Sequence, residues 1–392
     1  MKKVVLAYSG GLDTSVAIKW LKDRGYEVIA YMADVGQEKT TTAAIERAKK
    51  AGASKVVVKD LKEKFAREYL WPALKAGAVY EGRYTLATAL SRPIIAAEQV
   101  AVAHAEKATA VAHGCTGKGN DQVRFEVTIQ ALDSSLEILA PVREWEFRSR
   151  EEEIQYALKH RIPIDVSKKS PFSIDKNIWG VSVEAGVLED PDTEPPAESF
   201  QWTRGADKKN LKERVVSVDF QKGVPTGLGG KKMTPLKLIE ELNRLGAEYG
   251  IGRMDMIENR LVGIKSRETY EAPAATILLQ AHRDLESLVL DRELLHYKEG
   301  ISQKYAELVY YGLWFTPLKK ALDAFVETTQ SRVTGTVRIR LRKYTSVVVG
   351  RRSPYSQYKE TLATYGSKDK FDQRLAKGFI DLWALPYKNS DE

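Results

Sequence analysis

The sequence has very little of what would point to a secreted, zinc-binding or membrane-spanning protein. It contains one cysteine, Cys115, among 392 residues, which excludes a disulfide within the chain and a four-cysteine zinc site within one chain. No apolar run approaches the roughly 18 residues that a membrane span needs. The apolar run near Met1 is too short for the core of a signal peptide. We therefore expect a cytoplasmic protein.

Positive charge is only slightly in excess over negative charge. Lys and Arg number 61 against 53 Asp and Glu, which gives a formal net charge of +8. The basic residues are spread along the chain, so we expect no nucleic-acid partner, and without a long apolar run we expect no membrane partner. The length of 392 residues exceeds the roughly 250–300 residues at which one hydrophobic core stops growing. Two domains are therefore expected.

The first part of the chain alternates between short apolar runs and amphipathic stretches. The runs are typical of buried strands and the stretches have helical spacing; the strands are predicted at residues 4–8, 28–32, 56–58, 109–112 and 136–139, and the helices at 14–24, 41–51 and 93–108. This alternation predicts an α/β fold with a parallel sheet. Ligands of such sheets bind beyond the carboxyl ends of the strands, which here are Ser9, Ala33 and Gly114.

The pattern changes after about residue 170. Residues 189–196 are polar and proline-rich, which predicts a loop. Further elements are expected downstream: helices at 234–249 and 274–290, the first with Thr234 as N-cap, strands within 333–349 with Val337, Ile339 and Leu341 on one face, and an amphipathic helix at 371–382. These elements predict a second, α+β domain that ends in a helix.

The most informative segment lies between the first predicted strand and the first predicted helix. Residues 7–15 are Ala-Tyr-Ser-Gly-Gly-Leu-Asp-Thr-Ser. Gly10 and Gly11 let the backbone approach a phosphate closely, and the helix start offers unpaired N–H groups. No lysine follows as in a Walker loop, and the three spaced glycines of the dinucleotide fingerprint are missing. The segment therefore suits a polyanion without matching either of those motifs.

This segment resembles the Ser-Gly-Gly-x-Asp-Ser/Thr pyrophosphate loop of the N-type ATP pyrophosphatases. The resemblance implies that the loop holds the β- and γ-phosphates of ATP and leaves the α-phosphate open to a nucleophile. The products would then be an adenylate and pyrophosphate.

A second segment narrows the resemblance. Residues 113–126, His-Gly-Cys-Thr-Gly-Lys-Gly-Asn-Asp-Gln-Val-Arg-Phe-Glu, follow a predicted strand end and so lie on the same rim as the first loop. Asp121 can hold an ammonium group and Arg124 can hold a carboxylate, which suits amino-acid substrates. The segment resembles the signature of the argininosuccinate synthetase family, as do stretches within residues 80–93, 173–182 and 258–273.

The family resemblance implies an ATP-dependent, AMP-forming carbon–nitrogen ligase. It would join citrulline to aspartate through a citrullyl-adenylate and yield argininosuccinate for arginine biosynthesis. It further implies a nucleotide-binding domain at residues 1–168, a synthetase and multimerisation domain at 169–364, and an oligomerisation helix at 365–392 of a homotetramer. Magnesium would be held mainly by the ATP phosphates, with Asp13 helping to place it, and no metal site of the protein's own is implied.

The resemblance also implies roles for single residues, of which Asp13, Asp121 and Arg124 are the catalytic candidates. ATP would contact Ala7, Tyr8, Ser9, Gly10, Gly11, Leu12, Asp13, Thr14, Ser15, Ala33 and Gly114. Aspartate would contact Thr116, Asn120 and Asp121. Citrulline would contact Tyr84, Thr88, Asn120, Arg124, Ser173, Ser182, Glu258 and Tyr270.

Three alternatives stay open at this point. The first is a tRNA-modifying enzyme of the same superfamily, which the charge excess slightly favours and the missing cysteine pair opposes. The second is a nucleotide sensor that binds ATP without turnover. The third concerns His113, which is either a general base or, as we favour, a structural histidine at a strand end.

Overall fold

The computed structural model describes residues 2–37, 42–163, 171–208 and 210–388. Its first part alternates strands and helices, as predicted. In chain order the elements are β1 (Lys2–Ala7), α1 (Leu12–Asp23), β2 (Tyr26–Asp34), α2 (Thr42–Ala51), β3 (Lys55–Asp60), α3 (Lys62–Phe65), a π-helical turn (Ala66–Leu70), α4 (Trp71–Ala76), α5 (Ala87–Glu106), β4 (Ala110–Ala112), α6 (Asp121–Leu132), β5 (Glu137–Leu139), α7 (Pro141–Glu144) and α8 (Arg150–Lys159).

Among the described residues, five parallel strands form the first sheet, in the order β3-β2-β1-β4-β5. β1 pairs in parallel with β2 on one side and with β4 on the other. The chain therefore winds in one direction from β1 and later in the opposite direction from β4, which creates a topological switch point between these two strands. The segments that follow them, residues 8–11 and 113–120, meet there. The predicted α/β fold with a parallel sheet is confirmed.

Helix α5 begins at Ala87, six residues before the predicted start at Pro93. The prediction was wrong here because proline is favoured in a first helical turn, whereas Pro93 lies inside this helix. The real start is fixed by tertiary contacts. The Tyr84 hydroxyl accepts hydrogen bonds from the backbone N–H groups of Thr88 (3.0 Å) and Ala89 (3.4 Å), and so satisfies two of the free donors at the helix start.

The second part of the chain mixes strands and helices. In chain order it contains β6 (Ser173–Asn177), β7 (Gly180–Glu184), β8 (Arg214–Gln221), β9 (Val224–Leu228), β10 (Lys231–Lys232), α9 (Pro235–Glu248), β11 (Arg253–Asn259), β12 (Lys265–Glu271), α10 (Pro273–Val289), α11 (Arg292–Tyr310), α12 (Pro317–Thr329), β13 (Gly335–Arg342), β14 (Thr345–Arg352), α13 (Glu360–Ala363) and α14 (Leu375–Trp383), with short 3-10 turns between them. The predicted domain boundary between residues 168 and 169 lies outside the described residues.

A four-stranded antiparallel sheet, in the order β11-β12-β7-β6, stands beside α5. The Asn177 side chain donates to the Ala87 carbonyl (2.8 Å), and the Trp179 indole donates to the Thr85 carbonyl (3.0 Å). The sequence analysis predicted none of these strands. The apolar alternation by which strands are recognised is short here: β7 has only Val181 and Val183, and β11 has only Met254 and Met256.

The other sheet, in the order β10-β9-β8-β13-β14, packs against α10 and carries an apolar core. Val337, Ile339 and Leu341 are fully buried on one face of β13, as predicted. Thr234 caps α9 as predicted, because its hydroxyl accepts the Lys237 N–H. Of the helices in the described ranges, none combines the length and the apolar character that crossing a membrane requires.

Helix α14 lies near the end of the described chain, and its apolar side chains are exposed to solvent. The predicted stripe is there, but Leu375 is 69% exposed and Phe379 is 61% exposed. None of the residues of this helix is buried. An amphipathic helix normally covers its apolar face. The stripe therefore does not belong to the core of its own chain, as far as the described residues show.

Candidate active site

The phosphate loop, residues 7–15, connects β1 to α1 at the switch point. Gly10 has φ of 84°, a conformation that favours glycine, and Gly11 is the N-cap of α1 without a side-chain capping bond. Ser9 Oγ accepts the Gly11 N–H at 3.3 Å and lies 3.1 Å from Thr14 Oγ1. Arg47 of α2 donates to the Gly10 carbonyl. The start of α1 therefore presents backbone N–H groups and hydroxyls beside a cation, which suits a polyphosphate.

Three predicted ATP contacts in this loop, Tyr8, Thr14 and Ser15, have buried side chains. The Tyr8 hydroxyl and Ser15 Oγ lie 3.1 Å apart, and Ser15 Oγ donates to the Gly11 carbonyl at 2.7 Å. Burial raises the pKa of Tyr8, so its hydroxyl keeps its proton. These side chains hold the loop in shape. Ala7 and Leu12 are half-buried in the same turn, and Ala33 lies at the neighbouring end of β2.

The segment after β4 packs directly on the phosphate loop. A β-carbon on Gly114 would come within 2.7 Å of Thr14 Cγ2, so the two loops touch. Gln122 donates to the Gly117 carbonyl (2.6 Å) and thereby closes the turn that carries Thr116. Thr116 is exposed on this turn. The structure thus brings the ATP-side and aspartate-side candidates onto one rim, as predicted.

His113 is held as a structural residue. Its ring is 1% exposed, Nε2 lies 3.0 Å from Glu126 Oε1, and Nδ1 accepts the Cys115 N–H at 3.3 Å. The bond from His113, together with Arg143, lowers the pKa of Glu126. Since Nδ1 accepts, the proton on Nε2 points to Glu126, and neither ring nitrogen is available to a substrate. Burial raises the pKa of the Cys115 thiol, which is therefore not a reactive thiolate.

Asp121 lies at the centre of a partly buried ion-pair network. Its Oδ2 accepts from Arg92 Nε at 2.9 Å and its Oδ1 accepts from Arg124 Nη1 at 2.9 Å. Arg92 also donates to Asp175 at 2.6 Å, and Arg124 Nε donates to the Tyr310 carbonyl at 2.9 Å. Burial opposes ionisation of Asp121, but the two guanidinium groups hold its pKa below the usual value.

One face of the β11-β12-β7-β6 sheet carries the remaining citrulline candidates. Directly paired residues share a face of a sheet, and so do residues two apart along a strand. Ser182 pairs with Tyr270 across β7 and β12, and Ser173 pairs with Glu184 across β6 and β7. We call this surface the polar face; its members include Ser173, Asp175, Ser182, Glu184, Glu258, Glu268 and Tyr270.

The polar face meets α5 and α11. The hydroxyls of Ser182 and Thr88 lie 3.3 Å apart, and the Tyr84 and Tyr270 rings stack with centroids 4.3 Å apart. Glu258 is 2% exposed and accepts the hydroxyls of Tyr270 and Tyr310, both at 2.7 Å. Glu258 is therefore a buried, hydrogen-bonded carboxylate and not a solvated surface charge.

Asn120 links this cluster to the rim. Its Nδ2 donates to the Tyr310 hydroxyl (2.9 Å) and its Oδ1 accepts the Leu261 N–H (2.8 Å). The predicted citrulline and aspartate residues thus form one continuous cluster, which meets the phosphate loop where Gly114 touches Thr14.

Sequence reasoning gave no role to several residues of the site: Arg47, Arg92, Glu153, Glu184, Arg260, Glu268 and Tyr310. Arg92 and Glu268 lie within the stretches that carry the family resemblance, and their charge was the signal by which they could have been found. Tyr310 had none, because α11 was not predicted.

Comparison with known proteins decides the family. A family model described as the arginosuccinate synthase N-terminal HUP domain matches residues 3–163, and one described as the C-terminal domain matches residues 172–390. The chain belongs to the argininosuccinate synthase family. It is 55% identical to the argininosuccinate synthase of Pelodictyon phaeoclathratiforme over 392 residues, which is 100% of this chain and 98% of that one. It is 56% identical to that of Geobacillus kaustophilus over 386 residues, 98% of this chain and 95% of the other.

Membership of the argininosuccinate synthase family makes the chain an ATP-dependent ligase acting on small molecules. The alternative of a tRNA-modifying enzyme has no comparable support, because both family models and relatives over the full length name the same synthase. A sensor without turnover is likewise disfavoured.

Proposed function

We propose that this member of the argininosuccinate synthase family adenylates the ureido oxygen of citrulline and then joins the carbon to the amine of aspartate, releasing AMP and pyrophosphate. The observation that carries the proposal is the continuity of the rim. The loop at residues 114–121 touches the phosphate loop at one end and the amino-acid cluster at the other. A substrate oxygen can therefore be brought to the α-phosphate while a second amino acid waits beside it.

The phosphate loop supplies positioning and charge stabilisation. Gripping the β- and γ-phosphates at the start of α1 leaves pyrophosphate as the leaving group, stabilised by backbone N–H groups. Arg47, which donates to the Gly10 carbonyl, places a positive charge beside the loop, which has no lysine of its own.

Citrulline is expected to bind between the polar face and α5. Tyr84 and Tyr270 form a stacked wall, while Ser173, Ser182 and Thr88 supply hydroxyls. Arg124 already donates to Asp121 and to the Tyr310 carbonyl. It can hold the citrulline carboxylate only by exchanging one of these acceptors or through its remaining nitrogen.

Aspartate is expected to bind at Thr116, Asn120 and Asp121. Its ammonium group would share Asp121 with Arg92 and Arg124, both already bonded to that carboxylate. Such a shared carboxylate keeps the amine close to the rim where the activated carbon forms.

Magnesium fits the entrance of the phosphate loop. Burial and the nearby Asp13 carboxylate raise the pKa of Glu153, and Glu153 Oε2 is buried with no hydrogen-bond partner among the described residues. Two adjacent carboxylates suit a Mg²⁺ ion that keeps waters and phosphate oxygens as its other ligands. Asp13 and Glu153 would hold the ion, which would neutralise phosphate charge. The described residues contain no larger group of metal-ligating side chains.

The assembly is expected to be a homotetramer in the cytoplasm, with α14 packed on a neighbouring subunit. The exposed stripe of Leu375, Phe379 and Leu382 supports this, because apolar surface of this extent usually marks an interaction site. The predicted division at residues 1–168, 169–364 and 365–392 remains part of the same proposal.

The decisive test is pyrophosphate release from ATP. We expect release that depends on citrulline, and argininosuccinate formation only when aspartate is added. Release without citrulline, or a stimulation by tRNA with binding in a filter assay, would overturn the assignment in favour of a base-adenylating enzyme. ATP binding without any release would favour a sensor.

A further inference from the structure

Tyr310, the last residue of α11, lies where several segments of the candidate active site meet. Its ring stacks on the Tyr80 ring with centroids 3.7 Å apart and stands edge-on to the Tyr84 ring at 6.3 Å. The Arg124 guanidinium carbon lies 4.8 Å from the centroid of the same ring. Tyr310 is 0% exposed. Because the side chain is enclosed by protein, any role in the reaction must act through the residues that it contacts.

The Tyr310 hydroxyl joins two residues that the family resemblance assigned to substrates. It donates to Glu258 Oε1 at 2.7 Å and accepts from Asn120 Nδ2 at 2.9 Å. A phenol has one proton, and the oxygen of a carboxylate can only accept. The proton therefore points to Glu258, and the phenol oxygen is left as an acceptor. One hydroxyl thus connects the rim, where Asn120 lies, to the polar face, where Glu258 lies.

The Asn120 amide has one orientation that satisfies both of its neighbours. Its Oδ1 accepts the Leu261 N–H at 2.8 Å, and a backbone N–H can only donate. Nδ2 then faces the Tyr310 oxygen, which accepts. Within the described ranges Nδ2 donates to Tyr310 alone, so its second hydrogen is left for a substrate. A carboxylate is the matching acceptor, and citrulline and aspartate both carry one.

The backbone at the end of α11 supports Arg124. The Tyr310 carbonyl accepts from Arg124 Nε at 2.9 Å. Gly312 has φ of 76°, and a β-carbon there would come within 2.7 Å of the Arg124 Cα. The end of α11 therefore packs on the main chain of Arg124 as well as on its guanidinium. These backbone contacts do not depend on the Tyr310 hydroxyl, so the two functions of the residue can be tested separately.

We propose that Tyr310 is a positioning residue for the ligation: its hydroxyl fixes Asn120 as a donor toward the substrate carboxylates and ties it to Glu258. The inference rests on the proposed function. The tie keeps the aspartate side and the citrulline side in one relative geometry, which the attack of the amine on the activated carbon requires. Without the hydroxyl, the Asn120 amide and the Glu258 carboxylate each lose a partner in a buried place, and the amide is free to turn.

Tyr310→Phe tests the hydroxyl on the full-length enzyme. Phenylalanine keeps the ring, its stack on Tyr80 and the carbonyl that holds Arg124, and it removes only the O–H group. We expect the KM of aspartate and the KM of citrulline each to rise about tenfold, the effect of one lost buried hydrogen bond with an unsatisfied partner. The KM of ATP should stay close to that of the wild type, because the phosphate loop stands at the other end of the rim.

Tyr305→Phe is the matched control on the same helix. Tyr305 is also 0% exposed, and its hydroxyl donates to Asp323 at 2.8 Å. This variant loses a comparable bond to a carboxylate at a position outside the candidate site. We expect a lower Tm with all three KM values unchanged. A general loss of stability would appear in both variants, whereas the effect on the amino acids should appear only in Tyr310→Phe.

A double-mutant cycle tests whether Tyr310 acts through Asn120. If it does, the aspartate KM of the double variant Tyr310→Phe with Asn120→Ala should equal that of Asn120→Ala alone, because the hydroxyl then has no amide to orient. Effects that simply add would show that Tyr310 has only a structural role, and would overturn the inference.

The remaining outcomes separate this inference from the proposed function. Unchanged amino-acid KM values in Tyr310→Phe, or an equal rise in the KM of ATP, overturn the positioning role and leave the ligase assignment intact. Failure of the wild-type protein to release pyrophosphate with citrulline overturns the proposed function itself. If Tyr310→Phe does not fold, Tyr310→4-aminophenylalanine replaces it, because its amine can still donate to Glu258 but accepts poorly from Asn120. The aspartate KM should still rise, and an unchanged value overturns the inference.

Discussion

Gly114 lies against Thr14 so closely that a β-carbon on the glycine would come within 2.7 Å of Thr14 Cγ2. Thr14 cannot easily turn away, because it is buried and its hydroxyl lies 3.1 Å from Ser9 Oγ. This contact joins the phosphate loop to the loop that carries the aspartate candidates. We therefore expect the relative position of ATP and the amino acids to depend on the absence of a side chain at Gly114.

The first prediction is that Gly114→Ala impairs the use of ATP. Overpacking of this kind costs about 1–3 kcal/mol, so we expect kcat/KM for ATP to fall about tenfold or more with a modest loss of Tm. Gly117→Ala is the matched control on the same loop, because its β-carbon would meet Arg143 at an ordinary 3.8 Å. Equal kinetics for both variants would mean that the contact does not position ATP.

The second prediction concerns the phosphate loop itself. Asp13→Ala and Ser9→Ala should each cut turnover strongly and leave the fold intact, because both side chains lie at the loop. Asp13→Ala should also require more Mg²⁺ for half-maximal rate, which a magnesium titration at saturating ATP measures. Asp23→Asn, at the far end of α1, is the control. Normal turnover of the Asp13 or Ser9 variant would contradict the assigned loop.

The third prediction separates the two amino-acid sites. Arg124→Ala should raise the citrulline KM, and Asp121→Ala should raise the aspartate KM, each by a loss of about 1.5–3 kcal/mol. Since Asp121 also bonds Arg124, its loss should weaken citrulline to a smaller degree. Citrulline-dependent exchange of pyrophosphate into ATP needs no aspartate, so the Asp121 variant should retain more of it than the Arg124 variant. The opposite order would mean that the sites are interchanged.

The fourth prediction concerns stability and pH. Burial, then the Asp13 carboxylate, raise the pKa of Glu153 from its ordinary 4.5 to about 8. Between these values the folded protein holds a proton that the unfolded chain has lost, so the contribution of Glu153 to stability falls as the pH rises through this window. Glutamine cannot ionise, so Glu153→Gln should not show this pH-dependent loss of stability. Its Tm advantage over the wild type, without Mg²⁺, should grow from about pH 5 to about pH 8.

The control for this experiment is Glu151→Gln, an exposed position on α8 two residues before Glu153. Its Tm difference from the wild type should not change with pH. A pH-independent difference for Glu153→Gln as well would show that the carboxyl ionises normally in the folded protein.

The fifth prediction concerns the C-terminal helix. Truncation after Tyr365 should convert a tetramer into smaller species in light scattering, because α14 exposes its apolar stripe and the neighbouring subunit is the surface expected to cover it. Some activity can survive, since the candidate active site lies upstream. A tetramer that persists with only a lower Tm would contradict the arm.

Single elements show which parts of the structure could be predicted from the sequence. The phosphate loop was predictable because a short buried strand, two glycines and a helix start follow one another, and local chemistry is enough to recognise an anion site. The segment at residues 113–126 could be placed on the rim because it follows a strand end, and its family resemblance implied the roles of its residues. Helix α9 and its cap at Thr234 were confirmed for the same reason: hydrogen bonds within four residues determine them.

The polar face could not be predicted. In β12 polar and charged residues occupy both faces, with Glu268 on the polar face and Lys265 and Glu271 on the opposite face, so no apolar alternation marks the strand. Likewise the start of α5 depends on the Tyr84 hydroxyl.

The sequence by itself determined the parallel α/β sheet, the glycine-containing loop between β1 and α1, the polar segment at residues 113–126 and the amphipathic character of the last helix, because each is encoded within a few neighbouring residues. Tertiary structure alone decided that Asp121 is shared between Arg92 and Arg124, that His113 is a buried support, and that Glu258 and Glu268 stand on one face beside a single guanidinium. These relationships join residues far apart in the chain. Their protonation and pairing depend on burial and on distances that exist only once the sheets and helices have packed.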